Sequence, residues 1–288
     1  MSAEFLPLVT LSPNGAVFDL PIYVAQEHGL FEKAGIRIAF AQPFTDNDNT
    51  AKNPFARTKE ALYEQGKADA YNLCEWAGLD RSERSNRGSQ VLALRPAVAA
   101  QAIITFDPEI QEPRDLAGVA IGINEVTGSH YTTLQLLEGT IPREDIIVEH
   151  LGAPSVRYEA LKAGKARAIA IMEPFISLAL KEGAHIVAVN FYRGAEVISP
   201  DLPEAHRQAY LEAINQASDL INQDFGRYKH YVVKQLDGKL APEELHNHFV
   251  HYAHSKPLDP SRFEYTYSWM QSWNLTPGAN THAALVVQ

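Results

Sequence analysis

Four consecutive residues, Thr127, Gly128, Ser129 and His130, set two hydroxyls, an unhindered backbone and an imidazole ahead of the helical pattern "YTTLQLLEG". The first N–H groups of a helix have no partners within it, and the macrodipole places roughly half a positive charge there. Gly128 lets a ligand approach that backbone, and the hydroxyls of Thr127 and Ser129 can donate to an oxyanion. A bare helix N-terminus disfavours the His130 cation, whereas a bound anion favours it. The same residues also read as an ordinary helix start, with Thr127 or Ser129 as the N-cap.

Three further stretches carry chemistry. In "NLCEWAGLDR", Trp76 can stack on a planar ligand and Glu75 can accept from an amino group. Cys74 is the only thiol, although a lone cysteine is commonly a small buried hydrophobe. In "SPNGAVFDLPIYV", Asn14, Phe18, Asp19 and Tyr23 fall between a strand and a helix, where near-wall ligand contacts arise. Asp19 also reads there as a helix cap with Pro21 in the first turn. In "IMEPF", Glu173 either meets a ligand or caps a helix that begins at Pro174. His130, Cys74 and Glu75 are the candidates for catalysis, but no nucleophile–base–orienter set can be assembled around them. His248, His251 and His254, read on a helix over 242–253, drift around it, so only adjacent members share a face. Without an HExxH pattern or partner cysteines, no metal and no other cofactor is assigned. "RSERSNRG", with Arg81, Arg84 and Arg87, reads as a solvated face rather than a phosphate clamp.

The elements that must position these residues alternate. Strands are expected at 8–11, 36–40, 69–73, 91–94, 102–106, 119–123, 146–150, 168–172 and 185–190. Helices are expected at 21–33, 58–65, 129–137, 156–163 and from 174, with a long turn-rich loop over 41–54. From 203 onward the pattern is helical: 204–224, 228–236, 242–253 and 261–273. Such βα alternation defines an α/β protein with helices on both faces of a mostly parallel sheet.

The 288 residues can bury a large core, and 45% hydrophobic with 21% charged residues is ordinary for a globular chain. A net charge of −10 argues against a nucleic-acid-binding face but not against a local cluster of donors for a small anion. One cysteine excludes an internal disulfide. No run approaches the ~18–20 apolar residues of a membrane span. "MSAEFLPLVTLSPNG" has neither a basic n-region nor a long apolar run, so with Met1 as the native start the chain is expected in the cytoplasm. A trimmed leader would make it periplasmic.

In order along the chain, "LPIYVAQEHGLFEKAGIRIAF", "EALYEQGKADAYNL", "EPRDLAGVAIGI", "GSHYTTLQLLEG" and "YEALKAGKARAIAIMEPF" resemble successive units of solute-binding proteins related to sulfonate, nitrate and thiamine-precursor receptors. These cover roughly residues 8–189. The resemblance implies the type II periplasmic-binding-protein fold, two α/β lobes with a ligand cleft between them. It implies a first lobe of 1–101 with 191–288 and a second of 102–190. It also implies a small, anionic or zwitterionic organic ligand and, if the chain is exported, delivery to an ABC-transporter permease. The chain departs from the family at Arg167, where an Asp is common, and in a longer loop over 42–57. Cytosolic enzymes share the fold. "SPNGAVFD" lacks the cysteine that aromatic sulfinate desulfinases place after the first strand, and the cysteine-rich motif of the pyrimidine-precursor synthases is absent. An enzyme acting on a small aromatic or heterocyclic acid is the alternative that the resemblance leaves open.

Overall fold

The computed structural model describes residues 5–45, 50–276 and 278–288. The chain opens with β1 (Leu8–Leu11), α1 (Ala16–Glu27), the short α2 (Leu30–Lys33) and β2 (Arg37–Phe40). Next come α3 (Thr58–Glu64), β3 (Ala70–Cys74), α4 (Glu75–Arg84) and the long β4 (Gln90–Thr105). A second set follows: β5 (Ile121–Ile123), α5 (Gly128–Leu137), β6 (Val148–His150), α6 (Pro154–Lys162), β7 (Ala168–Ile171) and α7 (Phe175–Lys181). The long β8 (His185–Ile198) returns, followed by α8 (Glu204–Gln223), α9 (Phe225–Val233), β9 (Val250–Tyr252), α10 (Pro260–Ser272) and α11 (His282–Leu285).

One mixed sheet runs through the molecule in the order β2-β1-β3-β8-β4-β7-β5-β6, with β9 paired to β4. The β2-β1-β3 and β7-β5-β6 sets are each parallel; between them β8 runs antiparallel to β3, β4 antiparallel to β7, and the two long strands antiparallel to each other. The molecule is therefore two-lobed, with β4 and β8 passing from one lobe to the other. A separate apolar cluster fills the far lobe around Ile103, Ile121, Ile123, Leu134, Leu137 and Val187. The near lobe is covered by α8 and α9 against α1. No helix among the described residues is long and apolar enough to cross a membrane.

Several expectations change. The strands expected at 91–94 and 102–106 are one strand, because the register shift between Leu94 and Val98 absorbs Pro96 without ending the ladder. The strand expected at 185–190 likewise continues to Ile198. The helix expected at 242–253 is a single turn at Pro242–Glu244 followed by a strand: Val250 and Tyr252 are buried with His251 exposed between them, a period of two. His248, His251 and His254 therefore share no helix. The solvated face read at Arg81, Arg84 and Arg87 fails at Arg81, which is fully buried and paired with Glu60 and Asp80. Of the long loop, residues 46–49 lie outside the described residues.

The first helix starts at Ala16, which moves Pro21 from the first turn into the interior. A proline there has no N–H for the carbonyl four residues back, the Val17 oxygen. The buried Tyr252 hydroxyl donates to that oxygen at 2.9 Å, so a residue of β9 fills the gap in α1. Tyr252→Phe should cost about 1 kcal/mol in urea denaturation. In a Pro21→Ala background, where an N–H is restored, the same change should cost clearly less.

Candidate functional site

Open α/β sheets bind ligands beyond the carboxyl ends of their strands, and here parallel strands from both lobes end on one space. The first turns of α1, α3, α4, α5, α6 and α7 contribute to its wall, through Gly15 and Phe18, Arg57 and Glu60, Cys74 and Ala77, Thr127 and Gly128, Pro154 and Arg157, and Phe175. Helix N-termini carry partial positive charge, so the arrangement favours an anion before any side chain is counted. The cavity volume is about 110 Å³.

Four basic side chains line it: Arg57, Lys59, Arg95 and Arg157. The three guanidiniums are each at most 2% exposed. Arg57 donates to the carbonyls of Ala51 (2.7 Å), Lys52 (3.3 Å) and Glu125 (2.8 Å), and burial pulls its pKa down to about 10. Lys59 donates to the Asn72 carbonyl at 3.1 Å, and desolvation brings its ammonium to about 8. Arg157 is anchored on the carbonyls of Ala170 and Gly152. Arg95 sits with its guanidinium carbon 3.9 Å from the Phe18 ring centroid and donates to the Asn72 side-chain oxygen at 3.2 Å. Asn72 in turn donates to Asp19 (2.7 Å) and accepts from Asn14 (2.6 Å). Asp19 also accepts the Asn14 N–H at 2.6 Å, yet full burial raises its carboxyl to about 6. Glu173 accepts from the Ser177 N–H (3.0 Å) and hydroxyl (2.5 Å), so it caps α7; burial raises it to about 7 while it also faces the cavity.

Of the residues singled out in the sequence, Asn14, Phe18, Cys74, Thr127, Gly128 and Glu173 reach the cavity wall. The others do not. Asp19 stands behind the wall as the acceptor just described. Tyr23 stacks on Tyr231 at 5.6 Å, against the C-terminal helices. Glu75 is engaged by Arg262 (2.6 Å) and Thr266 (2.7 Å), and Trp76 packs among Tyr131, Tyr192 and Trp269; both face a second hollow that shares only Tyr192 with the first. The Ser129 hydroxyl is buried and accepts the Asn124 N–H at 2.9 Å. Thr127 occupies the N-cap position of α5, but its hydroxyl donates back to the Asn124 carbonyl at 2.8 Å, so neither hydroxyl caps the helix. His130 Nδ1 accepts the Val126 N–H at 3.2 Å, and burial lowers its pKa to about 4. It braces a strained turn, since Val126 is β-branched at φ +50°. Arg81 donates to the Val126 carbonyl at 2.9 Å, and Arg57 to that of the neighbouring Glu125, so two arginines from one lobe grip the α5 approach of the other.

The candidate catalytic groups are thereby placed for other work. Cys74 is pushed up to about 11 by burial, His130 uses its basic nitrogen on a backbone N–H, and Glu75 is held in an ion pair. The sequence reading passed over Arg57, Lys59, Glu60, Arg95, Arg157 and Tyr192. Arg95 did leave a trace, as one charge inside the apolar run "VLALRPAVAA".

Fold and site together define a two-lobed α/β protein with a cationic cavity where the lobes meet. By sequence, no family model and no curated protein matches the chain. By structure it is similar to the alkanesulfonate-binding protein SsuA from Xanthomonas axonopodis pv. citri bound to MOPS (TM-score 0.72, 17% identity, 97% of each chain covered). It is also similar to the periplasmic aliphatic sulphonate-binding protein SsuA from Escherichia coli (TM-score 0.73, 16% identity, 98% of this chain and 92% of that one). The desulfurization enzyme DSZB is similar too (TM-score 0.61, 15% identity, 96% and 95%). The chain thus has the type II periplasmic-binding-protein fold.

Two glycines hold the wall in place. A Cβ on Gly194 would collide with the Leu73 carbonyl and the Arg95 guanidinium, whereas one on Gly128 would meet the Tyr192 hydroxyl at 2.8 Å, the movable end of a side chain. Gly194→Ala should therefore lower stability in urea denaturation by about 1–3 kcal/mol. Gly128→Ala should lower it by less.

Proposed function

We propose that the chain is a solute-binding protein that closes two lobes around a small organic anion. The observation that carries this reading is the convergence of helix N-termini and four basic side chains on one cavity in a chain of net charge −10. The lobe division that goes with it is 1–101 plus 191–288 and 102–190; every buried member of the separate apolar cluster falls within 102–190. In an exported setting the partner is a membrane permease that receives the ligand. Fold alone does not choose between binding and catalysis, since function lives in the site. The binding reading is favoured by the commitments of Cys74, His130 and Glu75 described above.

A thermal-shift panel of sulfonates, carboxylates, nitrate and pyrimidines, with product analysis of each hit, tests the reading. An anionic hit recovered unchanged supports it, and Arg57→Gln should weaken that hit about tenfold or more, the scale of a hydrogen bond to a charged group. Chemical turnover of the hit, or stabilisation by no anion, overturns it.

The pH dependence has a definite sign. Lys59 gains its charge as pH falls through about 8, and Glu173 loses its charge as pH falls through about 7. Both changes make the cavity more positive, so anion affinity measured by calorimetry should rise from pH 9 to pH 6. Glu173→Gln, which keeps an oxygen for Ser177, should flatten the lower part of that rise.

A further inference from the structure

Resting on the reading of the cavity as an anion site, we infer that its ligand also carries a hydrogen-bond donor, an amine or a hydroxyl, close to the anionic group, and that Glu60 receives it. Two polar atoms carry the inference. Among the described residues, Arg57 Nη1 and Glu60 Oε2 are buried without a hydrogen-bond partner, and both side chains line the cavity. Each residue is 2% exposed. They make no ion pair with each other among the described residues; the other Glu60 oxygen is taken by Arg81 at 3.2 Å.

A buried polar atom left unpaired loses its hydration without compensation, and a native structure ordinarily avoids this. A donor and an acceptor of this kind at one cavity, with Arg95 Nη2 a second such donor on the same wall, are satisfied at once by a ligand that offers an acceptor to the Arg57 guanidinium and a donor to the carboxylate. The spacing is set by α3. Arg57 is its N-cap and Glu60 stands three residues on, so the two residues flank the first turn of the helix. The two ligand groups must then sit close together on a short chain, in keeping with a cavity of about 110 Å³. Around Glu60 stand the basic side chains of Arg57, Lys59 and Arg81.

The test is a matched series measured by calorimetry: ethanesulfonate, 2-hydroxyethanesulfonate and 2-aminoethanesulfonate, with propanoate, 3-hydroxypropanoate and 3-aminopropanoate beside them. The donor-bearing members of the better-bound series should bind about tenfold or more tightly than their parent, because the parent leaves Glu60 Oε2 unpaired. Glu60→Met should bring that ratio close to one. Glu60→Gln, which keeps a neutral acceptor, should reduce the preference for the amine more than that for the hydroxyl. A parent that binds as tightly as its hydroxy and amino forms overturns the inference and leaves the anion site standing. A donor preference that survives Glu60→Met overturns the assignment to Glu60. Binding by no member of either series overturns the inference together with the anion site. The comparison of ligands on the unaltered protein decides the first point even if Glu60→Met fails to fold.

Discussion

A guanidinium taken out of water must find carbonyls, carboxylates or an aromatic face, and the placement of Arg95 at the crossing of the two lobes imposes that demand on four elements at once. β4 supplies the register shift that turns Arg95 inward, and β8 supplies Gly194, the residue type that leaves room for its side chain. Phe18 of α1 offers the ring, and Asn72 of β3 offers the oxygen, itself fixed by Asp19 and Asn14. Each of these residues has a second tie to the cavity or to its wall. The near lobe's first helix and third strand and the two passing strands are therefore set relative to one another by the same charge that lines the cavity.

That arrangement also resolves the contrast between an acidic chain and a cationic cavity. Exposed charges are screened over about 8 Å at physiological ionic strength, whereas enclosed ones are screened much less. The surface excess of carboxylates therefore does little to a group held between Arg57, Arg95 and Arg157. The same arginines act structurally through their remaining N–H groups: Arg57 and Arg81 reach the carbonyls of Glu125 and Val126, and Arg157 those of Ala170 and Gly152. The grip on 125–126 draws the α5 approach toward the other lobe, at the cost of a valine at positive φ.

Local pattern carried much of the fold. The βα alternation could be read because each parallel strand and its helix repeat a short-range code, period two followed by a 3.6-residue period. The two passing strands could not be read as continuous, because their middle sections hold proline, arginine and glycine whose places are set by the partner strand. The histidine-rich stretch misled for a related reason: its apolar residues fit a helix by spacing, and pairing to β4 decides for a strand. In the site, Asn14, Phe18, Cys74, Thr127, Gly128 and Glu173 reach the cavity because strand ends are located by chain order. Arg57, Glu60, Arg95 and Arg157 had no such address. A single charge in a loop, strand or helix looks solvent-facing until tertiary packing buries it, and Arg81 shows the same error in its plainest form.

Similar folds among sulfonate-binding proteins and a desulfurization enzyme mean that the scaffold leaves the chemistry open, so the state of each reactive group must carry the distinction. A nucleophile needs a lowered pKa or an adjacent base. Cys74 stands on the cavity wall with its thiol raised by burial, and the site's other candidate, His130, directs its basic nitrogen to the Val126 N–H. Arg57 and Glu60 on the cavity wall each keep one buried polar atom without a partner, a donor and an acceptor, on side chains fixed by their other hydrogen bonds. Groups of that kind can orient a small molecule, which is the part that the proposed reading gives them.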